Sequence, residues 1–182
     1  MLIVSSLWIC SEILLARTKH SQSTDTQIDK SSLRVLWITI ALSVNTGIVL
    51  GVLGIGYVGQ GSQVFPWAGL ILIVSGLAVR WLAIVSLKSQ FTVDVSIKKD
   101  HRIVRGGVYR YVRHPAYAGS LLSFLGLGVF FVNYCSVLVI FVPICAAFFY
   151  RIRIEENVLV EAFGNEYINY CKSTKRLIPG IY

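Results

Sequence analysis

The chain has 182 residues, of which 55% are hydrophobic and only 14% charged, and its formal net charge is +8. Soluble domains carry about 25% charged residues, so this composition excludes a water-soluble globule, which would lack the polar surface to cover its apolar content. The apolar residues are gathered in long blocks separated by basic segments, which is the pattern of bilayer-spanning helices, and the positive charge reads as a determinant of orientation rather than as a nucleic-acid surface.

The first apolar block, residues 2–16, is short, carries Glu12 and lacks the basic start and cleavage site of a secretory signal, so it is read as a membrane helix. Residues 17–34 are rich in Ser, Thr, Asp and Lys and read as a loop. The second block, 35–58, contains Gly47, Gly51 and Gly54, small residues that let a neighbouring helix approach. An uncharged turn, 59–66, leads into the third block, 67–87, where Arg80 can reach the following polar segment. Residues 88–115 are polar and basic. Two further blocks, 116–131 and 134–150, are split by Val132 and Asn133 alone and form a tight hairpin, after which 151–182 is charged.

Lys and Arg near membrane helices remain on the cytoplasmic side. Segment 17–34 carries four of them, 88–115 seven and 151–182 five, while the two short connections carry none. The expected architecture is therefore an all-α, polytopic membrane protein with about five transmembrane helices and a C-terminal cytosolic helix. Its N-terminus is expected outside, with the C-terminus and the active site cytoplasmic. The whole chain forms one membrane domain, with three helices in 1–87 and the functional half in 88–182. Cys10, Cys135, Cys145 and Cys171 are widely separated without a CxxC pair, which suggests neither a disulfide framework nor a metal site.

Three stretches carry candidate chemistry. Residues 107–119, Gly-Val-Tyr-Arg-Tyr-Val-Arg-His-Pro-Ala-Tyr-Ala-Gly, place Tyr109, Arg113, His114 and Tyr117 where a polar loop enters a membrane helix. Pro115 suits the first turn of that helix, whose free N–H groups and positive dipole end favour an anion. The plain alternative is an interfacial belt of aromatic and basic anchors. In the second stretch Arg151 and Glu155 lie four apart, hence on one helix face at membrane-surface depth. A cation there can hold an anionic substrate while a carboxylate accepts hydrogen bonds, although both residues also serve as ordinary surface anchors elsewhere. In the third, Phe163, Tyr167 and Tyr170 recur on one helix side, which by periodicity is a packing seal.

The order Gly-x-Tyr, Arg-His-Pro-x-Tyr-x-Gly, a helical hairpin, Arg-x-x-x-Glu-Glu-x-x-Leu, Phe-Gly-x-Glu-Tyr-x-x-Tyr and Arg-x-Ile-Pro resembles the isoprenylcysteine carboxyl methyltransferase family over residues 90–182. That resemblance implies S-adenosylmethionine as cofactor and a lipophilic acceptor, prenylated or lipid, entering from the bilayer. It implies cofactor contacts from His101, Arg102, Ile103, Val104, Tyr109, His114, Pro115, Ala116, Tyr117 and Glu155, and a substrate-side, catalytic role for Arg151. Arg102 departs from the small or hydrophobic residue common in the family. Three other readings share part of the pattern: a phospholipid amine methyltransferase, an NADPH-dependent sterol or lipid reductase with a similar C-terminal ending, and a noncatalytic membrane protein.

Overall fold

The computed structural model describes residues 27–59, 63–87 and 102–181, with side chains from Ser31 onward. The candidate span at 2–16 and the candidate contact His101 lie outside the described residues. The described residues form five α-helices, α1 (Gln27–Leu53), α2 (Val64–Leu87), α3 (Pro115–Phe130), α4 (Tyr134–Phe163) and α5 (Asn165–Ser173), with a 3-10 turn at Gly107–Arg110. α1 begins inside the segment expected to be a loop, so the helix extends beyond its apolar block by a polar stretch.

Among the described residues three helices are long and apolar enough to cross a membrane, in α1 over Ser31–Leu53, in α2 and in α4. α3 is apolar but has only 16 residues, about 24 Å at the usual helical rise. Only 17% and 22% of the apolar windows of α1 and α2 are buried inside the protein. Leu42, Val52, Trp67, Ile71 and Val85 all face outward. A surface of that kind is stable only against lipid, which makes this an integral membrane protein.

The helices pack in the order α2, α3, α4, α1. With no hydrophobic drive between helices inside a bilayer, close approach is what holds them together. Between α2 and α3 that approach depends on glycine: a Cβ on Gly126 would lie 2.6 Å from the Gly69 carbonyl oxygen and 2.8 Å from the Ile73 nitrogen. The Ser123 hydroxyl adds an interhelical hydrogen bond to the Ile73 carbonyl at 3.2 Å. Between α1 and α4, Gly47 lies against Ile140, and the Ser136 hydroxyl donates to the Gly47 carbonyl at 2.8 Å. Gly47 and Gly51 are thus packing residues, whereas Gly54 has open space beside it and a φ of +70°. We expect Gly126→Val to destabilise the protein by about 3 kcal/mol, because backbone atoms on both sides cannot yield. Thermal unfolding of the detergent-purified variant checks this; an unchanged midpoint would show that α2 and α3 are held otherwise.

The hairpin between α3 and α4 turns at Val132, with φ of +52°, and at Asn133. Asn133 is 2% exposed and accepts the Ser136 N–H at 3.0 Å, capping α4. Its amide nitrogen donates to the carbonyls of Leu50 and Ile55 at 3.2 and 2.7 Å, tying the hairpin to the end of α1. At the opposite end of the bundle a core of Leu36, Leu121, Ile144, Phe148, Ile152 and Leu177 joins α1, α3, α4 and the C-terminal tail. That end carries the candidate site.

Candidate functional site

α4 does not stop at the boundary of its apolar block but runs on as one helix to Phe163. Its last four turns carry Arg151, Glu155 and Glu156 to the level of residues 109–117. After Gly164, whose φ of +53° reverses the chain, α5 folds back. The tail then runs beside the segment before α3: Arg113 N–H donates to the Lys175 carbonyl at 2.8 Å, His114 N–H to the Arg176 carbonyl at 3.0 Å, and Lys175 N–H to the Tyr111 carbonyl at 3.2 Å. Sequence-distant segments, 111–114 and 174–176, thereby become one short ladder beneath the start of α3.

Glu156 is the hub of this end. Its Oε1 accepts from Arg113 Nε at 2.9 Å and faces His114 Nε2 at 3.4 Å, while Oε2 accepts from Arg176 Nε at 2.8 Å. Arg113 also donates to the carbonyls of Cys171 and Thr174. One carboxylate therefore clamps the loop before α3 to the tail. Glu156 belongs to the adjacent glutamate pair in the sequence, where the spacing from Arg151 pointed to Glu155 instead; the role of Glu156 shows only in its partners.

Glu155, one residue earlier, points elsewhere. Its Oε2 is enclosed and has no hydrogen-bond donor, and its nearest cationic group is His114 Nδ1 at 3.7 Å. Around it stand rings. Tyr117 stacks on His114 with centroids 5.6 Å apart and rings 8° from parallel, and Phe148 lies 5.2 Å from Tyr117. Tyr109 is buried, and its carbonyl accepts the Tyr170 hydroxyl at 2.6 Å. Burial first, and then the charge of Glu155, pushes the Tyr109 phenol above its usual range, so it remains a neutral hydroxyl at physiological pH. Burial likewise raises Tyr167, whose enclosed hydroxyl has no hydrogen-bond partner, and takes Tyr170 up to about 12.

Arg151 is 1% exposed. Its Nε donates to the Tyr117 hydroxyl and its Nη1 to the Ser32 hydroxyl, each at 3.1 Å. Ser32, itself 1% exposed, comes from the polar start of α1 and was not singled out by its sequence. The Arg151 guanidinium is thus oriented by α1 and α3 together, within one helical turn of Glu155. Among the other expected contacts, Pro115 and Ala116 are buried at the start of α3. Val104 packs with Ala83, Tyr109 and Ala116. Ile103 is half-buried and Arg102 exposed. Among the described residues neither of these two makes a hydrogen bond or ion pair with the cluster.

Glu155 Oε2 without a donor, the Tyr109 phenol, the stacked His114 and Tyr117 rings and the enclosed Arg151 thus gather in one polar cluster. These features define a polytopic helical membrane protein with a buried polar cluster at one end of its bundle.

The family follows from comparison. The model of the isoprenylcysteine carboxyl methyltransferase (ICMT) family matches residues 69–161, more than half of the chain, and the chain belongs to that family. Similar curated proteins include the protein-S-isoprenylcysteine O-methyltransferase of Dictyostelium discoideum, 36% identical over 118 residues that cover 64% of this chain and 50% of the relative. The enzyme of the same name from Saccharomyces cerevisiae is 39% identical over 116 residues, covering 62% of this chain and 48% of the relative. Protein-S-isoprenylcysteine O-methyltransferase A of Arabidopsis thaliana is 34% identical over 113 residues, with shares of 61% and 57%. The chain spans about half the length of the curated relatives it matches. Among solved structures, the eukaryotic intramembrane Ras methyltransferase ICMT superposes with a TM-score of 0.64 at 24% identity, covering 78% of this chain and 52% of that one, which establishes a shared fold.

Proposed function

We propose that the protein is an S-adenosylmethionine-dependent methyltransferase that esterifies the carboxylate of an isoprenylcysteine-like or other lipophilic acceptor within the membrane. The observation that carries this reading is the pairing of a buried, oriented Arg151 with the donor-starved Oε2 of Glu155, one helical turn apart. The family relationship supports the reaction class.

The residues present suit the cofactor. Glu155 Oε2 would accept hydrogen bonds from its hydroxyls or ammonium, and the stacked His114 and Tyr117 rings, with Tyr109, would face its adenosyl part. His101, Arg102, Ile103, Val104, Pro115 and Ala116 complete the contacts in this reading. S-adenosylmethionine, when bound, supplies an electrophilic methyl group on a sulfonium. Arg151 would hold the acceptor carboxylate in line. A carboxylate is already an anionic nucleophile at neutral pH, so no residue has to remove a proton, and the protein contributes alignment and exclusion of water.

The same reading places five spans in the bilayer, counting residues 2–16 and α3, with the N-terminus outside. It puts α5 and the tail in the cytoplasm beside segment 88–115, which follows the distribution of Lys and Arg. Residues 88–182 then carry the cofactor site and the earlier helices the lipid-facing wall.

The test is calorimetric titration of the detergent-purified protein with S-adenosylmethionine, S-adenosylhomocysteine and NADPH. Binding of the two adenosyl compounds alone is expected; binding of NADPH alone would replace this reading with a lipid reductase. Glu155→Gln and His114→Ala should each weaken S-adenosylmethionine binding by about tenfold, the scale of one lost charge-assisted hydrogen bond or ring contact. Unchanged affinity in both variants would remove these residues from the pocket.

A further inference from the structure

A groove of about 520 Å³ opens between the end of the 3-10 turn and the C-terminal tail, with Arg113 in its lining. Among its lining residues are Arg110, Arg113, Lys172, Lys175 and Arg176, and no acidic residue lines it among the described residues. Glu156 is shared by two of these guanidiniums, Arg113 and Arg176, so one carboxylate charge is opposed by two cations and a positive surplus remains toward the groove. Arg110, Lys172 and Lys175 are exposed. Arg110 and Lys175 have no anionic partner among the described residues.

The groove also has an apolar rim. Tyr111 is 61% exposed and Ile181 74% exposed, and both line it; Ile178, beside Pro179, is 51% exposed. Its lining includes Arg110, Tyr111 and Arg113, shortly before Pro115 opens the apolar α3, so in the proposed membrane placement the groove sits where the chain passes from water into bilayer. A phenol and two isoleucines held out at that depth are at home among acyl chains and headgroups, with cations beside them.

We propose that this groove binds the phosphate of an anionic phospholipid headgroup in the leaflet on that side, with Tyr111, Ile178 and Ile181 set against the upper acyl chain. The site is built on the clamp that Glu156 makes, because the ladder between 111–114 and 174–176 holds its two walls together. Lipid occupancy therefore braces the tail against the loop before α3. The inference rests on the membrane placement and is independent of methyl transfer.

The experiment measures binding of radiolabelled dioleoylphosphatidylglycerol to the full chain in neutral detergent. Competitors are unlabelled dioleoylphosphatidylglycerol, dioleoylphosphatidylcholine, soluble glycerol phosphate and a poly-glutamate peptide. Displacement by the anionic lipid alone is expected, and Lys172→Gln/Lys175→Gln should weaken it about 10- to 30-fold, the effect of two basic residues at an anionic surface. The charge-matched variant Arg105→Gln/Arg153→Gln, which removes two exposed cations elsewhere, should bind as the parent does. Equal loss in both double variants would reduce the effect to net charge and overturn the site. Equal competition by phosphatidylcholine would overturn the charge recognition, and competition by glycerol phosphate or by the acidic peptide at similar concentration would overturn the lipid as occupant.

Discussion

Replacing Arg151 by Ala should abolish methyl transfer while leaving S-adenosylmethionine affinity within about threefold of the parent, because the guanidinium is assigned to the acceptor. Arg151→Lys makes the sharper test. It keeps the charge but loses the planar fork that donates from Nε to Tyr117 and from Nη1 to Ser32. A point charge on a flexible stem, no longer held by α1 and α3, misplaces a carboxylate by an ångström or so, and kcat/KM should fall about 10²- to 10³-fold. Transfer of a labelled methyl group to a farnesylcysteine acceptor, with calorimetric cofactor binding measured in parallel, reads both quantities. Parallel loss of binding and turnover would move Arg151 from the acceptor to the cofactor side.

The second large effect is expected at Glu156. Glu156→Gln leaves Arg113 and Arg176 facing each other across a mostly enclosed space without their carboxylate, and removing one member of a buried ionic cluster costs about 3–5 kcal/mol. The Arg113 and Arg176 backbone positions belong to the ladder that docks the tail, so the damage should be local first. Trypsin should cleave after Lys175 or Arg176 well before it cuts elsewhere, and the thermal midpoint should drop. Glu155→Gln, one residue away, should show neither change, since its Oε2 accepts no hydrogen bond within the protein. Equal trypsin sensitivity in the two variants would show that the clamp does not depend on Glu156.

The contrast between these adjacent glutamates marks what could be read from residue order. The membrane character, the hairpin at Val132 and Asn133, the helical continuation past Arg151, the packing role of Gly47 and Gly51 and the family motifs were all legible. Hydropathy blocks, glycine spacing and turn residues are local properties. α1 was less so: its start at Gln27 lies in a polar stretch, and polar helix outside a bilayer resembles loop by composition. Ser32 gave no signal, since its value lies in meeting Arg151 across 119 positions of sequence.

By itself the sequence determined that the chain must live in a membrane, which family it resembles and which stretches carry the polar and aromatic residues of the candidate site. Composition and motif spacing are linear properties, and the bilayer demands little beyond long apolar blocks with satisfied backbone. Only the tertiary structure decided the division of labour. The rotation of α4 turns Glu156 toward two arginines and leaves Glu155 beside the His114 and Tyr117 rings. The return of the tail makes a ladder with residues 111–114 and opens a basic groove behind it. Helix rotation and tail docking are set by packing among α1, α3, α4 and α5, and pairings of that kind depend on contacts between segments far apart in the chain.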